Sequence, residues 1–426
     1  MSNSKNEAAW KRLFEKHEIL EKIEKYGVFE ISSSEINRLR EARLMTKFDH
    51  RKNLPKIFKK NYLSILPVTR GSYLISQFKA YKDFEEKETE ITKVSFPSHI
   101  ESIDYENITS ESAALNCAYV SGILADFIGD EEILPTVSGR MSSDAFDFLI
   151  QTHSGNEVRI NVNNSQVEID GGFEGLETLS LIEAKNSLSD DFLIRQLYYP
   201  YRLWSKKISK RVKTIFMTYS NGIFTFYEYD FQNPEMYNSL TMIKQKKYSI
   251  EETEISLENI LEVQKATKIV NEPEIPFPQA DSFKRIVNLC ELLNEKELSR
   301  DEITANYDFD PRQTNYYTDA GRYLGLIEKY REDGQIIFSL TDEGRRLLRL
   351  KYIPRQLKFV ELILSHKAFN ETFKLYIMQG FLPSKDEIVE IMKRSNLYNV
   401  KSEDTFYRRA SSIAGWINWI LELTRL

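Results

Sequence analysis

The chain has 426 residues, 41% of them hydrophobic and 29% charged, with a formal net charge of −6. That length predicts about two to four domains with cores of their own, and the composition excludes a disordered or fibrous protein. No apolar run approaches the roughly 18 residues of a membrane span, and no signal-peptide h-region opens the chain. Two cysteines, Cys117 and Cys290, exclude a disulfide framework or a cysteine zinc site. Five scattered histidines offer no histidine-based metal cluster, and a reducing, cytoplasmic setting is the expectation. The acidic balance means that any nucleic-acid contact has to be local.

From about residue 8 to 26 apolar side chains recur at helical spacing, among them Trp10, Leu13, Phe14, Leu20 and Ile23. Ser32-Ser33-Ser34-Glu35 reads as a helix start that leads into a basic stretch. There Arg38, Arg40, Arg43, Lys47, Arg51, Lys52, Lys56, Lys59 and Lys60 face only Glu41 and Asp49, with Phe58 and Tyr62 interleaved. In an acidic chain such a one-signed block reads as a surface that follows a phosphate backbone. The alternative is a solvated charged helix and loop. Leu63 and Ile65, then Tyr73 and Ile75, alternate as a strand pair around Arg70-Gly71. Residues 1–94 are thus expected to form an α+β region that contacts DNA, with the Glu- and Lys-rich 83–93 as a linker or exposed edge.

Ser110-Glu111-Ser112 opens an apolar helix through Cys117, Val120, Ile123, Leu124 and Phe127, ended by Gly129. Residues 146–150 and 158–162 follow as strands turned at Gly155-Asn156. Next come Val167-Glu168-Ile169-Asp170-Gly171-Gly172 and Thr178-Leu179-Ser180-Leu181-Ile182-Glu183-Ala184-Lys185, two short strands. Alternation puts Asp170 opposite Val167 and Ile169, and puts Glu183 and Lys185 on one face with Leu179 and Leu181. Two carboxylates side by side suit Mg²⁺, a hard cation that takes few protein ligands and keeps several waters. A lysine beside them can hold a water, lower its pKa or stabilise charge on phosphorus. That is the chemistry of phosphodiester hydrolysis. The plain alternative is a surface hairpin with an ordinary ion pair, although burying charges without a use is expensive. Glu85-Glu86-Lys87 has the same spacing but lies among charges, and reads as solvated.

Asp170 with Glu183-Ala184-Lys185 resembles the D…(D/E)xK motif of the nuclease superfamily that contains most type II restriction endonucleases. Twelve residues separate the Asp from the Glu, and the motif resemblance covers about residues 109–230. It implies an α/β, restriction-endonuclease-like core over residues 95–270, a central mixed sheet flanked by helices. It also implies that Asp170 and Glu183 hold Mg²⁺, that the Ala184 carbonyl completes the ligand set, and that Lys185 orients or activates the attacking water. In that family a helix-borne glutamate often joins the metal site, and Glu111 stands at that position. The alternative for Glu111 is a first-turn residue favoured by the helix dipole. The usual motif has a proline before the Asp, where this chain has Ile169.

Ser189-Asp190-Asp191 reads as the cap of a helix carrying Phe192, Leu193, Leu197 and Tyr198, kinked by Pro200. Gln196-Leu197-Tyr198-Tyr199 resembles a Gln-and-Tyr helix motif that follows the active-site strand in part of the same superfamily, which adds Gln196 to the catalytic candidates. The segment is basic (Arg195, Arg202, Lys206, Lys207, Lys210, Arg211 and Lys213) and either lines DNA or is a solvated helix face. Two further strands, 214–219 and 224–229, flank Asn221-Gly222, a strong hairpin signal.

Prolines mark residues 271–278 as a linker. Beyond it, three helices beginning near Phe283, Ser299 and Asp310 precede a strand pair turned at Asp333-Gly334. That is the order of a winged helix-turn-helix over residues 271–350. Arg312, Gln313, Thr314, Asn315 and Arg322 on its third helix are expected to touch DNA, although winged helices also bind proteins. Residues 351–426 read as a helical DNA-binding or dimerisation domain, whose last helix carries Arg408, Arg409, Trp416 and Trp419.

The expected function is that of a sequence-specific type II restriction endonuclease cutting double-stranded DNA with Mg²⁺. It would act as a homodimer, formed in solution or only on DNA, with a cognate DNA methyltransferase as genetic partner. The alternatives are a repair or recombination nuclease with the same core, or a non-catalytic winged-helix regulator.

Overall fold

Apolar residues on both sides of the strands Thr178–Lys185, Arg211–Ser220 and Ile223–Phe231 require a sheet covered on two faces. In the computed structural model, which describes residues 2–85, 87, 89–130 and 132–424, they form the middle of a seven-stranded mixed sheet. Its order is Ile91–Lys93, Leu240–Ser249, Ile223–Phe231, Arg211–Ser220, Thr178–Lys185, Gln166–Glu174 and Leu134–Ser142. Thr178–Lys185 and Arg211–Ser220 are parallel, joined by a crossover through the helix Arg195–Lys207. Asn221 and Gly222 turn the next hairpin with φ of 54° and 78°, as their sequence signals. The α/β class and the central mixed sheet are as expected.

On one face Leu179, Leu181, Val212, Phe216 and Tyr227 pack against Leu197, Tyr198, Tyr199 and Leu203 of the crossover helix. The hairpin Ala145–Gln151 and Glu157–Asn163 closes the same layer. On the other face Ile182, Ala184, Ile215 and Met217 pack against Leu115, Cys117, Leu124 and Phe127. These last belong to two helices, Glu111–Val120 and Ile123–Ile128, where one was expected; Gly122 at φ 80° breaks the run. The edge strand Leu134–Ser142 was not foreseen, because Pro135 and Gly139 interrupt its mostly exposed pattern. Ser189-Asp190-Asp191 does not cap a helix. Asp191–Leu193 is instead a short strand paired with Tyr81–Asp83, and the helix begins at Arg195.

The N-terminal part has its own core around Trp10, Phe14 and Phe58, beside the sheet Phe29–Ser32, Ser72–Ser76 and Ser64–Pro67. The α+β character and the strand pair around Arg70-Gly71 are as expected. Ile91–Lys93, from the charged segment, forms the far edge of the main sheet. Glu86, the middle of Glu85-Glu86-Lys87, lies outside the described residues.

The C-terminal part is one cluster that runs from Ile255 and Ile260 through Phe283, Leu340 and Phe359 to Ile420. Residues on both sides of position 350 therefore share a core. Within it the elements run Phe283–Glu295, Leu298–Ser299, Arg300–Asn306, Pro311–Tyr323, Ile327–Glu332 and Gln335–Leu340, and the three strands form a small sheet with Gln335–Leu340 central. Trp416 (0% exposed) and Trp419 (4%), with Ile413, Ile417 and Ile420, face this core. The stripe therefore packs within its own domain, the second of the two roles its pattern allows, and side chains buried there have no surface to offer another chain. No helix among the described residues is long and apolar enough to cross a membrane.

Candidate active site

Asp170 lies on a strand that loses its register. Val137 pairs with Gly172 and Gly139 with Ile169, so a two-residue step on the edge strand faces a three-residue step on Gln166–Glu174. The extra residue is a β-bulge at Asp170-Gly171. Its effect is a change of side: Val167 and Ile169 pack with Leu179 and Leu181, whereas Phe173, of the same parity, packs on the other face with Ile182. Strict alternation is thus corrected at this point. Asp170 turns toward the neighbouring strand, where its Oδ2 accepts the Ala184 N–H at 2.8 Å. Close approach requires glycine at position 172, where a Cβ would stand 2.7 Å from Val137 Cβ and 3.2 Å from the Val137 carbonyl oxygen, whereas one on Gly171 would meet side-chain ends, Leu115 Cδ2 at 2.5 Å and Phe173 Cε2 at 3.0 Å.

Glu183 and Lys185 share a face, as alternation requires. Lys185 Nζ lies 2.5 Å from Glu183 Oε1 and 3.1 Å from the Ala184 carbonyl oxygen. Gln196, on the first turn of the crossover helix, donates from Nε2 to the same Glu183 oxygen at 2.6 Å. Glu111 begins the helix on the opposite layer, behind the Ser110 N-cap, and its Oε1 is 4.0 Å from Lys185 Nζ. The five side chains Glu111, Asp170, Glu183, Lys185 and Gln196, scattered over 86 positions, therefore line one cavity of about 550 Å³. It takes in Glu183 and Lys185 at the carboxyl end of the strand Thr178–Lys185, the end of a strand at which open α/β sheets place their ligands.

Burial pushes the Glu183 carboxyl above the usual carboxylate range, and Asp170 adds to the effect while Lys185 opposes it. Glu111 is raised as well, by burial first, with Lys185 opposing and Asp170 reinforcing. Burial alone would lower Lys185, but Glu183, Glu111 and Asp170 outweigh it and hold the ammonium charged. Three carboxylates around one lysine leave an excess of negative charge. The oxygen donors of Asp170, Glu183 and Glu111, with the Ala184 carbonyl, fit a hard divalent cation, which would favour their ionised forms. Two of these oxygens already converge on the Lys185 ammonium.

The rest of the cavity wall is mixed. Arg43, Lys47 and Arg70 come from the N-terminal part, Arg140 from the edge strand and Arg195 from the crossover helix. Of the other N-terminal DNA candidates, Arg38 pairs with Glu35, and Arg51 and Lys52 are engaged by Asp83, Asp190, Asp191 and Asp308. Arg40 does not line the cavity and has an interaction of its own. On the helix Pro311–Tyr323, Arg312 is exposed and Asn315 half-buried. Thr314 is fully buried and hydrogen-bonded to Thr304, so it serves the core and not a ligand. Gln313 closes the capping box on Asp310, and Arg322 pairs with Asp319.

One cluster has no counterpart in the sequence reading. His50, Asp191 and Asp308 bring their ligand-type atoms within 4.8 Å of one another, all buried. His50 Nδ1 lies 2.7 Å from the Asp191 carbonyl oxygen, 141 positions away in the chain. Asp308 Oδ2 accepts the Asp190 N–H at 2.9 Å and faces Lys52 and Arg285. These carboxylates already have cationic partners, which makes the cluster a latch between the three parts of the chain. Sequence could not reveal it: a histidine or a lone aspartate carries no pattern until the fold brings it to its partner.

The fold and cavity thus define a mixed α/β protein with a carboxylate–lysine centre at one end of its sheet. Three family models match the chain in succession, each described as a domain of unknown function: DUF6996 over residues 7–75, DUF6997 over 76–249 and DUF7226 over 285–425. The second stretch contains all seven strands of the main sheet. No curated protein and no solved structure matches the chain.

Proposed function

We propose that the chain is a Mg²⁺-dependent endonuclease that hydrolyses phosphodiester bonds of double-stranded DNA, similar in kind to the type II restriction endonucleases. The observation that carries this reading is the convergence of Asp170, Glu183, Lys185, Gln196 and Glu111 in one cavity. Supporting it, two helices from Glu111 precede the antiparallel sheet strands Leu134–Ser142, Gln166–Glu174 and Thr178–Lys185, with the hairpin Ala145–Gln151 and Glu157–Asn163 inserted after the first, and the crossover helix then leads to the parallel strand Arg211–Ser220.

In this reading Asp170, Glu183 and the Ala184 carbonyl hold Mg²⁺, and Glu111 bounds the site from the other helical layer. The bound ion supplies a water of lowered pKa and withdraws charge from the phosphate. Lys185 orients the attacking water by hydrogen bonding and offsets charge that develops on the phosphate oxygens. Gln196 fixes the rotamer of Glu183. The small sheet and three helices of residues 283–340 act as the winged helix-turn-helix, with Arg312 and Asn315 offered to DNA. A duplex has two strands and the chain one such site, so two chains acting as a twofold dimer suit a palindromic target.

Incubation with unmethylated phage DNA and Mg²⁺ tests the reading. Discrete bands are the expected result. A smear means cutting by structure or without sequence preference, as a repair nuclease would cut, and DNA left intact overturns the nuclease and favours a non-catalytic regulator. A DNA methyltransferase gene beside this one separates restriction from repair.

A further inference from the structure

Six cationic and five carboxylate side chains line the cavity. Three of these pair locally: Lys47 with Asp49 at 3.6 Å, Arg140 with Glu168 at 3.1 Å and Lys185 with Glu183 at 2.5 Å. Glu111, which shares Lys185 at 4.0 Å, and Asp170 remain on the carboxylate side. Arg43, Arg70 and Arg195 remain on the other, and among the described residues none of the three has an ion pair.

Their origins differ. Arg43 lies on the short helix Ala42–Thr46, Arg70 in the turn between the strands Ser64–Pro67 and Ser72–Ser76, and Arg195 at the start of the crossover helix. Arg43 and Arg70 are exposed, whereas Arg195 is half-buried with its guanidinium 5.7 Å over the Tyr199 ring. Arg195 Nε is a buried donor without a protein acceptor. Buried donors are rarely left unpaired, and three arginines from three elements facing one cavity repel one another unless an anion joins them. Guanidinium groups match the two-oxygen edge of a phosphate.

We propose that Arg43, Arg70 and Arg195 form a clamp for the phosphates of the strand held over the carboxylates, so that the N-terminal part completes a substrate site whose metal-binding oxygens belong to the sheet. This deepens the nuclease reading and rests on it for the identity of the substrate. The basic residues that matter for the reaction are then not the whole block from Arg38 to Lys60. Arg51 and Lys52 hold the latch, and Arg43 acts together with two arginines far from it in sequence.

The test is binding to a mixed-sequence DNA duplex at several salt concentrations, with Ca²⁺ replacing Mg²⁺ so that the strand stays whole. Arg70→Ala and Arg195→Ala are each expected to weaken binding and to reduce the slope of log affinity against log salt by about one. Lys11→Ala, at an exposed position of the helix Ser2–His17 that does not line the cavity, is expected to leave the slope unchanged. Arg195→Lys keeps the charge and is expected to retain the slope, which separates lost phosphate contact from damaged packing against Tyr199. Unchanged slopes for both Arg70→Ala and Arg195→Ala, or an equal loss with Lys11→Ala, overturn the clamp. If the parent protein leaves DNA whole with Mg²⁺ but the arginine variants still flatten the slope, the clamp stands and only the nuclease reading falls.

Discussion

Gln196 Nε2 and Glu183 Oε1 are 2.6 Å apart, and Lys185 Nζ approaches the same oxygen at 2.5 Å. Two donors on one carboxylate oxygen restrict the rotation of the group and leave its other oxygen without a bond to either of them. Gln196→Ala should therefore lower cleavage by about 10- to 100-fold, the usual effect of losing a partner that orients a metal ligand. Raising Mg²⁺ should recover part of the loss. A rate equal to the parent's at every Mg²⁺ concentration would show that Gln196 has no positioning role.

Asp170 and Lys185 carry the chemistry itself. Asp170→Ala and Lys185→Ala should abolish cleavage while duplex binding persists, and Asp170→Ala should bind more tightly because it removes a negative charge beside the phosphate. Cleavage by Asp170→Ala at a rate close to the parent's would remove the assignment.

The bulge that aims Asp170 is followed by Gly172, which has no room for a side chain. A Cβ at position 172 meets Val137 Cβ at 2.7 Å and the Val137 carbonyl oxygen at 3.2 Å, and backbone cannot yield as a side-chain tip can. Gly172→Ala should cost about 1–3 kcal/mol of stability and should reduce cleavage by more than that loss explains. Chemical denaturation, followed by activity measured well below the transition, separates the two effects.

The latch makes stability depend on pH. Burial opposes charge on His50, but its hydrogen bond to Asp191 and the nearby Asp308 prevail, so its pKa is raised above the ordinary histidine value of about 6.5. A raised pKa stabilises the folded protein fully below the unfolded value and loses that stabilisation as pH rises through the folded one. The stability difference between the parent and His50→Gln should shrink over that window. Unfolding of both proteins by denaturant from mildly acid to mildly alkaline pH measures it, and a difference independent of pH would mean that His50 stays neutral. Asp308→Ala, which leaves Arg285 with Asp190 as its ion-pair partner and removes the acceptor of the Asp190 N–H, should cost about 1–3 kcal/mol.

If the helix Pro311–Tyr323 reads bases, Arg312→Ala and Asn315→Ala should each cost about 1–3 kcal/mol on the preferred sequence and relax discrimination there. Thr314→Ser, inside the core, should leave discrimination alone. Sequence preference lost through Arg43→Ala instead would move recognition to the N-terminal part.

The local patterns were legible in the chain. Asn221-Gly222 announces its hairpin because a turn of that type needs two left-handed residues. Glu183 and Lys185 had to share a face because a strand has a period of two, and Ser110 announced the helix that begins at Glu111. The three helices and the hairpin between Phe283 and Leu340 follow from rules that act over a few residues, whereas Glu111 and Gln196 became candidates through the family resemblance.

What required tertiary structure acts over longer distances. The side to which Asp170 turns depends on a bulge, which exists only in the pairing of two strands. Ser189-Asp190-Asp191 carries the composition of a helix cap, yet the fold assigns its carboxylates to His50, Arg51 and Lys52 and starts a strand at Asp191 that pairs with Tyr81–Asp83. The tryptophan stripe of the last helix looks the same in sequence whether it faces a partner or its own domain; Trp416 and Trp419 are buried against Phe283. Of the basic stretch from Arg38 to Lys60, Arg43 and Lys47 reach the cavity, where Arg70 and Arg195 join them. Sequence fixes which residues carry charge, but ion pairing depends on distance in space, and only the fold decides which charges remain for a ligand.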